Sequence, residues 1–379
     1  MIYFLLTFFV LHISVNFYIG YRGYQALEFF PMARPYLIIL LIILTFAYPI
    51  GVYFERKILS IFTLTIHWMG AIWFAFMLYI TLSLFLVDIF RVVNHFIPMV
   101  YFTNIVRTKQ IAFYFIVSLS SLLILSGYIN SWFPKVKTLT IEIPKKARKT
   151  DEYHIVAASD IHLGSFVRKH KVKKLVDKIN ELSPDIVLFA GDVVDSEPKP
   201  VINQNLGVYF NDIDSKYGVY AVTGNHEYIG DAEKSIAYLT KKGINFLRDS
   251  SILIDDEIYI VGREDIHKTR MNGQNRKHLA ELLDGVDMTK AIVLLDHQPY
   301  NLGEVVKYPV DIQLSGHTHH GQMWPASYIT KAMFEVSRGY KKILGTHFYV
   351  SSGYGTWGPP IRIGSRPEII SIKMIFTAD

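Results

Sequence analysis

The sequence predicts an N-terminal all-α, multi-pass membrane domain followed by a C-terminal α/β sandwich, and three observations lead there. Charge is segregated: only seven basic and three acidic side chains precede residue 134, against 32 and 30 in the remainder of the 379-residue chain. Long apolar runs fill the first region. Short apolar runs alternating with amphipathic helical patterns fill the second.

Four stretches, Ile2–Tyr21, Pro35–Tyr53, Ile58–Phe90 and Ile111–Trp132, approach or exceed the roughly 20 residues that a helix needs to cross a bilayer. The third is longer than one span and is expected to tilt or run past the membrane. The first lacks the basic start of a cleaved leader, so it reads as a span. Tyr18, Tyr21, Tyr53, Tyr128 and Trp132 fall near the proposed ends, where amphipathic rings favour the headgroup level. Val92–Val106, broken by Pro98, reads as an interfacial segment. An even number of spans puts the Glu55–Lys57 loop and the C-terminal domain on one side. Counting Lys and Arg, roughly seven against five, favours the cytoplasmic side for that domain. Asp88 and Arg91 lie one turn apart and are expected to pair, rather than to line an ion path.

The domain plan is therefore residues 1–134 as transmembrane helices, 135–152 as a linker with a lead-in strand, and 153–379 as a folded domain. Within it, Tyr153–Ala158, Asp185–Ala190, Gly218–Val222, Ala291–Leu295, Val310–Leu314 and His347–Ser351 read as strands. Ser251–Val261 reads as two short strands, and Glu368–Phe376 as a strand closing one edge. Lys169–Leu182, Ala232–Lys242 and Arg276–Leu283 carry helical patterns.

Composition removes several chemistries. There is no cysteine, which excludes disulfides, thiolate nucleophiles and Cys-based zinc sites. The formal charge of +6 divides as +4 and +2 between the two regions, with no basic block of the kind that grips nucleic acid. The partner implied is the lipid bilayer, and no nucleic acid is expected.

The loops at the ends of the buried strands are the informative part. Ser159-Asp160-Ile161-His162 comes after the first strand, and Gly191-Asp192-Val193-Val194-Asp195 after the second. Thr223-Gly224-Asn225-His226-Glu227 comes after the third, and Asp296-His297-Gln298-Pro299 after the fourth. Ser315-Gly316-His317-Thr318-His319-His320-Gly321-Gln322 comes after the fifth. Ligands of open α/β sheets bind beyond the carboxyl ends of strands, so these five loops are expected to meet in one crevice. Each motif alone is ordinary: a lone Asp at a strand end is usually a turn or a cap, and a lone buried His is usually a hydrogen-bonded core residue. Five in order, each behind an apolar strand, are not.

Together Asp160, His162, Asp192, Asn225, His297, His317 and His319 offer hard oxygen and imidazole donors, which suit divalent Mn, Fe, Zn or Mg. Asp-x-His and His-x-His each turn both side chains one way if the local backbone is extended. Seven donors exceed one tetrahedral ion and fit two, with a carboxylate such as Asp192 able to bridge. Two ions about 3.5–4 Å apart clamp a phosphoryl group and acidify a water for in-line attack.

The ordered set D-x-H, G-D-x-x-D, G-N-H-E, an isolated His before proline, and G-H-T-H resembles the calcineurin-like metallophosphoesterase superfamily, from about Tyr153 onward. The resemblance implies an α/β/β/α metallophosphoesterase sandwich and hydrolysis of a phosphoester or pyrophosphate bond by metal-activated hydroxide. It implies that Asp160, His162, Asp192 and His319 hold one divalent ion, and Asp192, Asn225, His297 and His317 the other. His226 would be the general acid or a phosphate-polarising group, and Asp195 an orienting residue behind the ligands. The closing segments Ser352-Gly353-Tyr354-Gly355, Pro359-Pro360-Ile361-Arg362 and Arg366-Pro367-Glu368-Ile369 are similar to the bacterial membrane-associated branch. That branch implies a lipid-linked substrate. Its usual glycine is replaced here by His320, which reads as an inert surface residue or, alternatively, as a substrate contact. Arg362 reads as half of a structural ion pair or, alternatively, as a partner for a substrate phosphate. Met323–Met333 is apolar, and reads either as packing or as a lip resting on the bilayer.

Rival readings are a phosphodiesterase or phosphatase acting on soluble nucleotides or phosphoproteins, and a non-catalytic membrane sensor or scaffold of the same fold. A transporter regulated by the domain is a third; flux surviving Asp192→Asn would distinguish it.

Overall fold

A computed structural model describes residues 2–58 and 60–378. They form two units, one running to Tyr128 with Gly358–Pro360, the other spanning Ile129–Trp357 and Ile361 onward.

The first unit is built on the helices Ile2–Ala26, Arg34–Lys57, Ile61–Phe96 and Ile105–Asn130, the last of which carries on into the second unit. Pro35 lies in the first turn of the second helix, and a reciprocal Ser60–Thr63 capping box opens the third. The third helix ends at Phe96, just before Pro98, and its 36 residues extend about 54 Å, well beyond one span. Among the described residues, three segments, Pro31–Glu55, Ile61–Phe96 and Ile105–Asn130, are long and apolar enough to cross a bilayer. The second and third helices touch backbone to backbone: a Cβ on Gly70 would stand 2.2 Å from the Tyr48 nitrogen, so only hydrogen fits there. Inside the bundle, Trp73 Nε1 donates to Asn16 Oδ1 at 2.9 Å. Asp88 pairs with Arg91 at 3.1 Å as expected, and is joined by Arg22 and by the Tyr18 hydroxyl at 2.6 Å.

The second unit is a sandwich of two six-stranded sheets. The strands are β1 (Lys135–Ile143), β2 (Glu152–Ala158), β3 (Ile186–Ala190), β4 (Val219–Val222), β5 (Ile244–Phe246), β6 (Ser250–Ile254), β7 (Ile258–Gly262), β8 (Ala291–Leu295), β9 (Ile312–Ser315), β10 (Gly339–Ile343), β11 (Thr346–Val350) and β12 (Glu368–Phe376). One sheet has the order β1-β12-β2-β3-β4-β5, the other β10-β11-β9-β8-β7-β6. Strands β2 to β5 run parallel, as do β7, β8, β9 and β11.

Period-two alternation sorts the side chains into layers. Ile155, Leu188 and Tyr220 of one sheet meet Ile260, Val293 and Leu314 of the other in the central core. The opposite faces of β2 and β3 carry Val156, Val187 and Phe189 against Val172, Leu175 and Ile179 of the helix Lys169–Glu181. Leu279, Leu282, Leu302 and Val305 cover the outer face of the second sheet. These are the layers of an α/β/β/α sandwich.

Two expectations change. β12 is not an edge: β1 pairs parallel outside it, because the lead-in strand has an apolar inner row, Ile141 and Ile143, to bury. Of the expected Arg276–Leu283 helix only Leu279–Leu282 forms, since Arg276 Nη1 reaches Asp296 at 2.9 Å and the Lys277 amide donates to Asp249.

Candidate metal centre

The loops after β2, β3, β4, β8 and β9 converge at the carboxyl ends of those strands, where all seven candidate ligands and His226 come together. Asp160, His162 and His319 offer ligand atoms that lie within 4.8 Å of one another, and so do Asp192, His297 and His317. Asn225 joins the second group: its Oδ1 stands 2.7 Å from His317 Nδ1 and 3.3 Å from His297 Nε2. Asp192 lies between the groups, with Oδ2 at 3.1 Å from His297 Nε2 and 3.8 Å from His162 Nε2. Its Oδ1 accepts the His226 amide at 2.8 Å.

The backbone route differs from the extended one expected. Asp160, His162, Asp192, His317 and His319 all take positive φ, between 46° and 71°. Non-glycine residues in the left-handed region are uncommon and collect at functional sites, where surrounding structure holds them. Here the hold is visible. The Asp160 amide donates to Gly191 O at 3.0 Å and the His162 amide to Asp192 O at 3.0 Å, locking the first two loops together. The fifth loop is tied to the first by the His317 amide, which donates to Asp160 Oδ1 at 2.9 Å.

Glu227, for which the sequence suggested no role, organises the loops. Its fully buried carboxylate accepts from the amides of Asp192, Val194 and Gly224. The close approach of the loops leaves no room at Gly224, where a Cβ would stand 2.1 Å from Asp192 Oδ1. A second cluster, Asp265–Gln298–His267, also escaped the sequence reading. Gln298 Nε2 donates to both Asp265 oxygens at 2.8 and 2.9 Å, next to the ligand His297. The adjacent amide-bearing Gln298 was its only local signal.

A hydrogen bond behind His297 selects its tautomer. His297 Nδ1 donates to Ala190 O at 2.7 Å, leaving Nε2 facing Asp192. His162 Nδ1 lies 3.6 Å from Asp195 Oδ1, beyond hydrogen-bond distance, while Nε2 faces His319. Burial, and then the neighbouring His162 and Arg362, push His319 well below its usual pKa. Burial and the His297 charge push His317 down to about 4. Both are neutral at ordinary pH, the form that ligates a cation. Burial opposes the charge of His297, but the Asp192 carboxylate outweighs that and raises its pKa well above the usual value. The donor set, buried carboxylates among converging imidazoles, fits two divalent ions.

His226 is set apart from the ligands by what holds it. Its Nδ1 meets Asp195 Oδ1 at 3.0 Å and Ser196 Oγ at 3.0 Å. Burial opposes its charge, but the Asp192 and Asp195 carboxylates outweigh that and raise its pKa to about 9. Half-exposed Trp357 lies beside it, ring centroids 6.1 Å apart.

Three further side chains take definite positions. Asp296 points away from the centre and pairs with Arg263 and Arg276. Arg362 is fully buried and spends its hydrogen bonds on the carbonyls of Ser352 and Gly355 and on His319 Nδ1 at 3.1 Å, rather than on a carboxylate. His320 is half-buried and not at the surface; Nδ1 meets Ser337 Oγ at 2.9 Å.

Strand-end loops that gather two carboxylate–imidazole groups around one shared aspartate define a metallophosphoesterase domain. The chain belongs to the calcineurin-like phosphoesterase family, whose pattern it matches over residues 153–321. It is 34% identical over 250 residues to an uncharacterized metallophosphoesterase of Aquifex aeolicus, covering 65% of this chain and 94% of that protein. It is 31% identical over 268 residues to a transmembrane protein with metallophosphoesterase domain of Danio rerio, covering 68% and 61%. An uncharacterized metallophosphoesterase of Campylobacter jejuni is 33% identical, covering 64% and 63%. The match thus spans less than two thirds of the Danio and Campylobacter proteins. The family uses a pair of divalent metal ions, and the domain is of the metal-dependent phosphoester hydrolase class.

Proposed function

We propose that this chain is a membrane-anchored phosphoesterase that cleaves a phosphoester or pyrophosphate bond in a lipid-linked substrate. In this reading residues 1–134 form a membrane domain of about four spans, 135–152 lead in, and 153–379 carry the reaction on the cytoplasmic side. The observation that carries the hydrolytic part is Asp192 Oδ2, within 3.1 Å of one imidazole group and 3.8 Å of the other. The lipid part is supported by the apolar helices of the same chain: confinement to a bilayer raises the enzyme's effective concentration toward an amphiphile lodged there.

Asp160, His162, Asp192 and His319 would hold one ion, and Asp192, Asn225, His297 and His317 the other. When bound, the pair supplies Lewis acidity toward the phosphoryl oxygens and lowers the pKa of a water. The protein's own residues do the remaining work. Asp195 and Ser196 hold His226 by Nδ1, so Nε2 is left to carry the transferable proton. As the attacking water oxygen forms its bond to phosphorus, having given up a proton to solvent, the bond to the leaving oxygen breaks, and His226 Nε2 gives that oxygen its proton. Glu227 and Arg362 keep the ligand loops in place by hydrogen bonds to main-chain groups.

The test compares a diacyl or polyisoprenyl phosphoester, in mixed micelles, with its soluble headgroup analogue. A lipid-directed enzyme should show kcat/KM favouring the lipid by at least about tenfold, near 1.4 kcal/mol of transition-state stabilisation. Equal values would point instead to a soluble nucleotide or phosphoprotein.

A further inference from the structure

The helix Ala326–Met333 is inside out. Surface helices ordinarily turn an apolar stripe inward and polar residues to water. Here Ser327 is buried, while Tyr328, Ile329 and Met333 are 63%, 62% and 60% exposed. The edge hairpin just beyond it, β10 with β11, adds Tyr340 at 45% and Leu344 at 78%. An apolar face built this way in a folded domain marks an interaction surface.

The charges in the same stretch say what kind. From Trp324 to Leu344 the sequence holds Lys331, Arg338, Lys341 and Lys342 against the single acid Glu335. All four basic residues are exposed, and only Lys341 is neutralised locally, by Glu335 at 3.0 Å. Aromatic and aliphatic side chains interleaved with lysine and arginine match a bilayer interface carrying anionic headgroups. A protein partner would more often meet an apolar centre with a mixed-charge rim.

The segment is also fastened to the metal loop. Thr318 Oγ1 donates to Ser337 O at 2.6 Å, and His320 Nδ1 meets Ser337 Oγ at 2.9 Å. Gly321 approaches so closely that a Cβ there would lie 2.4 Å from the Ser327 nitrogen. Whatever holds this segment therefore holds the ligand loop from His317 to Gln322.

We propose that residues 324–344 are a docking face for the anionic surface of the bilayer, which brings the metal loop to the headgroup layer. Each basic residue contributes about fivefold to surface partitioning. Such docking requires the chain to be membrane-bound, and does not depend on turnover.

The chain has no cysteine, so Ile329→Cys, labelled with an environment-sensitive fluorophore, reports one position in the full-length protein. Lys173→Cys, on the exposed side of the helix Lys169–Glu181, serves as the aqueous reference. Both are placed in nanodiscs of phosphatidylcholine, with and without phosphatidylglycerol. With the anionic lipid, the label at 329 should shift to the blue and be quenched several-fold more by a spin-labelled lipid than by iodide, with the reverse at 173. Changing Lys331, Arg338, Lys341 and Lys342 to Gln should reduce the lipid quenching, with an unchanged melting curve confirming that the fold is intact. Iodide quenching at 329 equal to that at 173 would overturn the proposal. Protection from both quenchers would overturn it too, and would mean that a protein, a second copy or another partner, covers the face.

Discussion

His162 Nε2 and His319 Nε2 stand 3.0 Å apart, one on the loop after β2 and the other on the loop after β9, 157 residues later. The two nitrogens lie within N–H···N distance, and with Asp160 Oδ1 3.4 Å from His319 Nε2 they are also placed to share one cation.

The parent protein is therefore expected to carry two divalent ions per chain, and His319→Ala to lose at least one of them, read by elemental analysis of protein purified in detergent. Saturating metal at about 100 times its Kd should add about 2.7 kcal/mol to stability, lost on chelation. Equal metal content in both proteins would remove His319 from the ligand set.

His226 separates from the ligands in a different assay. If it protonates the leaving oxygen, His226→Gln should cost about 10²–10⁴ in kcat on an alkyl phosphoester. The loss should be far smaller on a nitrophenyl ester, whose leaving oxygen needs no proton. A uniform loss on both would make His226 a phosphate-polarising group.

The candidate ligands, which the structure brings to one place, could be picked out in the sequence because each motif is local: an apolar strand, then a short polar loop whose residue types announce donors. Period-two strands likewise placed most of the sandwich. What sequence could not show was long-range. Nothing near Glu227 says that it will cap the loop after β3, and nothing near Asp160 says that its φ will be positive, since Gly191 O, across the neighbouring strand, decides it. β1 was readable as a strand but not as the partner of β12, because that pairing joins residues more than 200 positions apart. The helical pattern at Arg276 lost to an ion pair with Asp296 for the same reason. His320 looked like a surface residue until Ser337 came into reach.

Lys171 supplies a pH test of the fold away from the metals. It is 4% exposed, and burial, followed by the charges of Arg362 and Lys174, lowers its pKa to about 7. In the unfolded chain it titrates near 10.4. Between those values the unfolded state binds a proton that the folded state refuses, so this group makes stability rise with pH from about 7 to 10. Below pH 7 the full penalty is present. Lys171→Met should stabilise the domain at pH 6 by about 4–5 kcal/mol, with the gain fading by pH 10. Melting curves at the two pH values check this; a gain independent of pH would mean that the ammonium is solvated.

The most direct measurement is hydrolysis of bis-p-nitrophenyl phosphate by the full-length protein in detergent, with and without added Mn²⁺, beside Asp192→Asn. The account predicts turnover that requires the metal and falls by at least about 10³-fold in the variant, roughly 4 kcal/mol. No turnover from the parent while it holds two ions, or turnover unchanged by Asp192→Asn, would contradict a hydrolytic centre built around that carboxylate.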